Sequence, residues 1–200
     1  GIIICDINNI ESMQSVILSN DGVKLYSSDE DKIESILENE DINIYNNSFI
    51  MSDSKDNIWI SSSDGIKVYY KDMMEIVEFK KDTKIPNYLS SNVITCFYED
   101  INGVIWIGTD RGVNILSGNK QFNNTIRNAQ GDGLLYDKEV MSILQHGEQI
   151  WIATKFNGIY IYNKDGDLIT HLDKNDSEIN LNDNYIKNMF SINNQFIIIT

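Results

Sequence analysis

Short apolar runs of four to six residues alternate along this chain with compact clusters of aspartate, asparagine, glycine and serine. That pattern predicts strands joined by tight turns rather than helices. One stretch shows the unit in full. Val93 to Tyr98 is apolar, Asp100-Ile101-Asn102-Gly103 is a turn, and Val104 to Thr109 is a second apolar run. Asp110-Arg111-Gly112 then turns into Val113 to Leu116, and after Ser117-Gly118-Asn119 a weaker run follows at Lys120 to Ile126. Asn102-Gly103 suits a hairpin that needs positive backbone angles.

The unit repeats. Trp59, Trp106 and Trp151 lie 47 and 45 residues apart, in the settings Ile58-Trp59-Ile60-Ser61, Ile105-Trp106-Ile107-Gly108-Thr109 and Ile150-Trp151-Ile152-Ala153-Thr154. Gln149 to Thr154 aligns with Gln195 to Thr200, and Asp64-Gly65-Ile66-Lys67-Val68-Tyr69 aligns with Asp21-Gly22-Val23-Lys24-Leu25-Tyr26. Val16 and Ile197 therefore hold the tryptophan position in the outer copies. Fourth strands are expected at Ile33 to Leu37, Met74 to Phe79 and Leu168 to Leu172. The first strand of each copy is apolar at consecutive positions (Val93, Ile94, Cys96, Phe97; Val140, Met141, Ile143, Leu144), which predicts burial on both of its faces. A small or polar residue recurs there, at Ser48, Thr95, Ser142 and Asn188, as suits strands converging on a narrow axis.

A period of about 45 residues with four strands per copy predicts an all-β fold of β-propeller blades, each of four antiparallel strands. Blades are expected at residues 1–41, 42–87, 88–133 and 134–180, with a half-blade at 181–200. The chain opens inside an inner strand at Gly1-Ile2-Ile3-Ile4 and stops after the second strand of the fifth copy. The sequence thus predicts an incomplete ring, a piece of a larger one, whose open edges favour self-association as a homodimer.

Composition narrows the chemistry. Among 200 residues there are 34 isoleucines and 25 asparagines but only two alanines, a palette for strands and turns. Thirty acidic residues against sixteen basic ones give a net charge of −14, and the only arginines are Arg111 and Arg127. A nucleic-acid groove has no material to be built from, so no nucleic-acid partner is expected. Two cysteines and two histidines supply little for a metal cluster, and neither a metal nor another cofactor is expected. Cys5 and Cys96 fall on inner strands two copies apart, which disfavours a disulfide. Asp100-Ile101-Asn102-Gly103 resembles the start of a calcium loop, but its twelfth position is Arg111 where a glutamate is required, so a hairpin is the better reading. Asp29-Glu30-Asp31 and Asp165-Gly166-Asp167 read as solvated turn acids. No nucleophile elbow or phosphate loop occurs, so no catalytic residue is assigned.

The third copy, from Leu89-Ser90-Ser91-Asn92-Val93 through Asp100-Ile101-Asn102-Gly103 and Trp106-Ile107-Gly108-Thr109 to Gly112-Val113, resembles the two-component regulator propeller repeat. The fourth copy keeps Val140, Trp151, Ile152, Thr154 and Gly158, with one residue added before Gly158. The second keeps Asp53, Trp59 and Gly65. The tryptophan is expected to pack against the neighbouring blade, with Gly108 and Ala153 leaving room for it. The motif defines a scaffold and does not itself name a functional site.

The resemblance implies a non-enzymatic, extracytoplasmic sensor, periplasmic or at the cell surface, within a bacterial membrane signalling protein. Its partners would be the remainder of the propeller and downstream domains such as a histidine kinase or diguanylate cyclase, and its ligand a carbohydrate or other small molecule. The alternatives are a propeller glycoside hydrolase or lyase, and a protein-interaction scaffold without a small ligand. In propellers the loops between second and third strands, with those entering each inner strand, share one face. They carry Asp110, Arg111, Lys155, Phe156, Tyr88, Tyr136 and Tyr185 here. Aromatic faces beside a few charged groups suit sugars, so the first six are the candidate ligand-binding residues, with Arg111 foremost.

Overall fold

The computed structural model describes residues 3–5, 14–19, 21–27, 30–38, 42, 48–81, 89–116, 122–123, 135, 137–176, 181–192 and 195–200. The chain forms two compact units, residues 1–81 with 92–94, and residues 82–91 with 95–200.

The first unit holds two four-stranded sheets, each a meander in which chain neighbours are sheet neighbours. One is β1 (Ile3–Cys5), β2 (Gln14–Ser19), β3 (Gly22–Ser27) and β4 (Lys32–Glu38); the other is β5 (Ile50–Ser52), β6 (Ile58–Ser62), β7 (Gly65–Tyr70) and β8 (Glu75–Phe79). Val16, Leu18, Val23 and Leu37 of the first sheet pack with Ile50, Ile58 and Ile60 of the second in one buried cluster.

The second unit repeats the pattern. It contains β9 (Ile94–Glu99, apart from Ile94 itself), β10 (Ile105–Thr109), β11 (Gly112–Leu116) and β12 (Phe122–Asn123), then β13 (Val140–His146), β14 (Gln149–Thr154), β15 (Ile159–Asn163) and β16 (Leu168–Leu172). A two-stranded sheet, β17 (Asn188–Ile192) and β18 (Gln195–Ile199), follows. Trp106 and Val113 of one sheet pack with Val140, Ile143, Ile150, Ile152, Tyr160 and Tyr162 of the next. Trp151 meets Phe196 of β18 with ring centroids 4.6 Å apart. These two tryptophans are therefore plates between adjacent sheets. The fold is all-β, built from four-stranded antiparallel propeller blades.

Burial on both faces, expected of the first strand, holds in β13, where adjacent Ser142 and Ile143 are buried and Ile143 and Leu144 pack into different clusters, and it is more complete in two of the second strands. Every residue of β6 and β10 is buried; in β9 Ile94 is buried and Cys96 and Tyr98 are part-buried against the cluster around Trp106, while Val93 lies outside the strand with 52% exposure. The reason is topological. The first strand is the edge of its sheet, while the second has a strand on either side and a neighbouring sheet against its face. Gly108 also serves another contact than the one expected. A Cβ there would lie 2.5 Å from Cys96 Sγ and 2.9 Å from Val140 Cγ1, so the glycine admits side chains of two inner strands rather than the tryptophan. The recurring small position divides as well: Ser48 and Ser142 are buried, but Asn188 is exposed. Ser142 Oγ bonds the backbone of Met189 in the next sheet, donating to its carbonyl at 3.2 Å and accepting its N–H at 3.3 Å.

Two small hydrogen-bonding devices recur and explain the motif. Asp100 Oδ1 accepts the N–H groups of Asn102 and Val104, while Oδ2 accepts the Trp106 indole N–H at 3.0 Å. Asp53 does the same for Lys55, Asn57 and Trp59. With both carboxylate oxygens committed to its own hairpin, Asp100 is a turn cap and not the start of a cation loop. At the other end of the second strand, Thr109 Oγ1 accepts the Arg111 N–H and donates to the Gly112 carbonyl at 2.9 Å. Thr154 repeats this with Asn157 and Gly158.

Candidate functional site

The loops joining second to third strands share one length in three sheets and differ in the fourth. Ser19 pairs with Gly22, Ser62 with Gly65 and Thr109 with Gly112, each across two intervening residues. In the fourth sheet the hydroxyl-to-glycine closure spans three residues, Lys155, Phe156 and Asn157. Because Asn157 N bonds Thr154 Oγ1 as Arg111 N bonds Thr109 Oγ1, Asn157 is the counterpart of Arg111. Lys155 then corresponds to Asp110, and Phe156 is the inserted residue.

That insertion bulges Phe156 outward, leaving its side chain 68% exposed. The rest of the loop is held on three sides. Lys155 N donates to the Glu139 carbonyl at 2.9 Å and Lys155 Nζ to Glu139 Oε2 at 2.8 Å. Gly158 N donates to the Asn184 carbonyl at 3.0 Å, and Ile186 N to the Thr154 carbonyl at 3.4 Å. His171 Nε2 lies 2.6 Å from the Asn157 carbonyl, with its ring stacked on Tyr160 at 4.2 Å. A bond to a carbonyl requires the proton on Nε2. Phe156 thus stands exposed on a loop whose backbone is fixed.

Phe156 does not stand alone. Tyr185, in the segment entering β17, stacks on it with centroids 5.7 Å apart and planes at 30°. Lys155 Nζ lies 5.7 Å from the Phe156 centroid and Lys187 Nζ 5.9 Å from that of Tyr185. The Glu139 carboxylate holds the Lys155 ammonium above the usual lysine range, chiefly through their hydrogen bond. The result is an aromatic ledge with an ammonium at each end.

Asp110 and Arg111 lie at the corresponding turn of the preceding sheet. Arg111 is exposed, and its guanidinium makes no ion pair among the described residues. One Asp110 carboxylate oxygen is buried with no hydrogen-bond partner. The turn continues toward the ledge through the chain beside it. Gly112 lies so close to Leu135 that a Cβ would sit 2.6 Å from its carbonyl oxygen, Lys138 N donates to that same oxygen, and Glu139 holds Lys155. Of the six residues expected at the site, the structure places Lys155 and Phe156 on the ledge and Asp110 and Arg111 on the adjacent turn; Tyr88 and Tyr136 lie outside the described residues. Glu139 and Lys187 were not foreseen. The one signal for the arrangement was the extra residue before Gly158, which marks the loop that bulges.

Among the described residues no group of three or more histidine, cysteine, aspartate or glutamate side chains is arranged to hold a metal ion. No helix among them is long and apolar enough to cross a membrane.

Residues 88–111 match the family model described as the two component regulator propeller. No curated protein matches the chain significantly. Among solved structures, the chain is similar to the extracellular domain of BT4673 from B. thetaiotaomicron, described as a one component system, with a TM-score of 0.60 and 15% identity over 98% of this chain and 34% of that one. It is similar to the extracellular domain of the hybrid two component system BT3049 from B. thetaiotaomicron, at TM-score 0.50 and 20% identity over 94% of this chain and 31% of that one. YCF48 bound to D1 peptide gives a TM-score of 0.66 at 9% identity, over 95% of this chain and 58% of that one. At these identities the likeness is one of fold, and the chain spans about a third of the two B. thetaiotaomicron domains.

Proposed function

We propose that this chain, which carries a two-component regulator propeller repeat at residues 88–111, is a ligand-binding part of an extracytoplasmic sensor and takes a carbohydrate on the Phe156–Tyr185 ledge. The observation that carries the reading is an exposed phenylalanine on an immobilised loop. An aromatic ring left in water loses the favourable transfer of its area, about 1.5–3 kcal/mol for a side chain of this size, and burying that surface against a ligand recovers it. Fixing the loop beforehand lowers the ordering entropy that binding must overcome. A sugar whose hydroxyls are equatorial presents axial C–H groups on a flat face, which matches such a ring, while Lys155, Lys187 and Arg111 offer donors to the hydroxyls.

The extracytoplasmic placement draws support from the solved extracellular domains of the same fold, and the relay to a membrane-bound kinase or cyclase from the family that the repeat resembles. The domain is read as non-catalytic. Calorimetric titration of the 200-residue chain with cellohexaose and xylohexaose, whose units are all-equatorial, tests the proposal. Binding that Phe156→Ala abolishes supports it; no binding of either, or binding that the variant retains, overturns the ledge reading. Cleavage of either hexaose during the titration overturns the non-catalytic one.

A further inference from the structure

Glu139 lies on no motif of the repeat, yet it is the residue to which the inserted loop is tied twice. Its carbonyl takes the Lys155 N–H and its carboxylate the Lys155 ammonium. Both side chains of the pair are about one-third exposed, at 34% and 35%. Lys155 is also the residue that precedes Phe156, so the direction in which its side chain leaves the backbone fixes how the loop carries the ring. A freely solvated Lys155 could take many rotamers, and among the described residues Phe156 has one aromatic partner, Tyr185, at 5.7 Å.

We infer that Glu139 is a positioning residue of the aromatic ledge: its carboxylate fixes Lys155 across the loop and so keeps Phe156 stacked on Tyr185 in a binding-competent orientation. This rests on the carbohydrate reading for its use, but the geometry it asserts is independent of any ligand. The Glu139 carbonyl bond stays when the side chain is altered, so a Glu139→Gln change removes the charge pair and leaves the backbone tie. Lys155 then becomes mobile, and the ledge samples arrangements in which the two rings are apart.

Aromatic NMR of the 200-residue chain tests this directly. Wild type should show cross-relaxation between the Phe156 and Tyr185 rings, Glu139→Gln should weaken it at unchanged melting temperature, and Glu139→Asp should restore part of it. In parallel, cellohexaose and xylohexaose affinities should fall about three- to fivefold in Glu139→Gln, the range expected of a part-exposed ion pair. Combining Glu139→Gln with Lys155→Met should cost no more than Lys155→Met alone. Unchanged ring contacts in Glu139→Gln overturn the inference even where Phe156→Ala abolishes binding. A loss of melting temperature in step with the ring contacts also overturns it, by showing that Glu139 serves only stability. Absence of hexaose binding with the ring contacts responding as stated removes the carbohydrate reading and leaves the positioning intact.

Discussion

The Trp106 indole N–H donates to Asp100 Oδ2 at 3.0 Å across a hairpin whose backbone the same carboxylate caps through Oδ1. The same relation joins Trp59 and Asp53 at 2.9 Å. An indole is a large apolar plate with one donor, and burying it to 3% exposure requires a partner for that donor. The repeat places the acceptor six residues earlier, where it also closes the turn. In the fourth copy the hairpin lacks the aspartate, and Trp151 bonds Gln149 Oε1 at 3.2 Å instead.

Replacing Asp100 by alanine should lower stability by about 1–3 kcal/mol, since it strands the buried indole donor together with two turn amides. Asp100→Asn keeps an acceptor and should cost less. Urea unfolding monitored by tryptophan fluorescence measures both, and equal midpoints for wild type and Asp100→Ala would refute the capping role.

Gly112 should tolerate no side chain. It adopts φ +105, and a Cβ would sit 2.6 Å from the Leu135 carbonyl oxygen. Gly147 shares a positive φ of 58 but has nothing within 4 Å of a Cβ. Gly147→Ala should therefore cost about 1 kcal/mol from backbone strain alone, and Gly112→Ala about 3 kcal/mol or more, because backbone must also move. Comparable unfolding midpoints for the two variants would show that the backbone at Leu135 yields easily.

Cys96 should be a poor nucleophile. Burial pushes its thiol up to about 12 from an ordinary 9.0, more than the backbone of Gly108 and the Thr95 side chain lower it. Because the folded value lies above the unfolded one, the contribution to stability is complete below about pH 9 and is lost as pH rises toward 12. A thiol reagent at pH 8 should label the folded chain far more slowly than the urea-unfolded chain. Equal rates would place Cys96 in contact with water.

Phe156→Ala should leave the unfolding midpoint within about 0.5 kcal/mol of wild type, as expected of an exposed position, while removing saccharide binding. Its melting curve and titration, read together, separate a ligand platform from a packing residue. A substantial drop in melting temperature would mean that the Tyr185 contact serves the fold.

The strands, their order and the period were legible in the sequence because they rest on local chemistry: apolar runs, tight-turn residues and a tryptophan in constant surroundings. Leu168 to Leu172, expected as a fourth strand, is β16. The glycine at the start of each third strand was also visible, although its reason required the fold: a fourth-strand carbonyl pressed against Gly22, Gly65 and Gly158, and the Leu135 carbonyl against Gly112. What local pattern could not supply was which side of a run meets another sheet. The first strand looked as apolar as the second, and β13 does pack on both faces, yet it is the second strand that is buried at every residue in β6 and β10, and Gly108 proved to face Cys96 and Val140.

The candidate site divides in the same way. Its loops were identified from turn positions alone, and the extra residue before Gly158 could be counted. That Phe156 is the residue extruded follows from the Thr154 hydroxyl closing on Gly158 just as Thr109 closes on Gly112. That Tyr185 receives its ring and Glu139 holds its neighbour depends on chain segments roughly thirty and sixteen positions away from it, brought together only by the stacking of sheets. The sequence by itself determined the blade; the packing of blade on blade decided the ledge, because contacts between repeats are set by geometry that no single repeat contains.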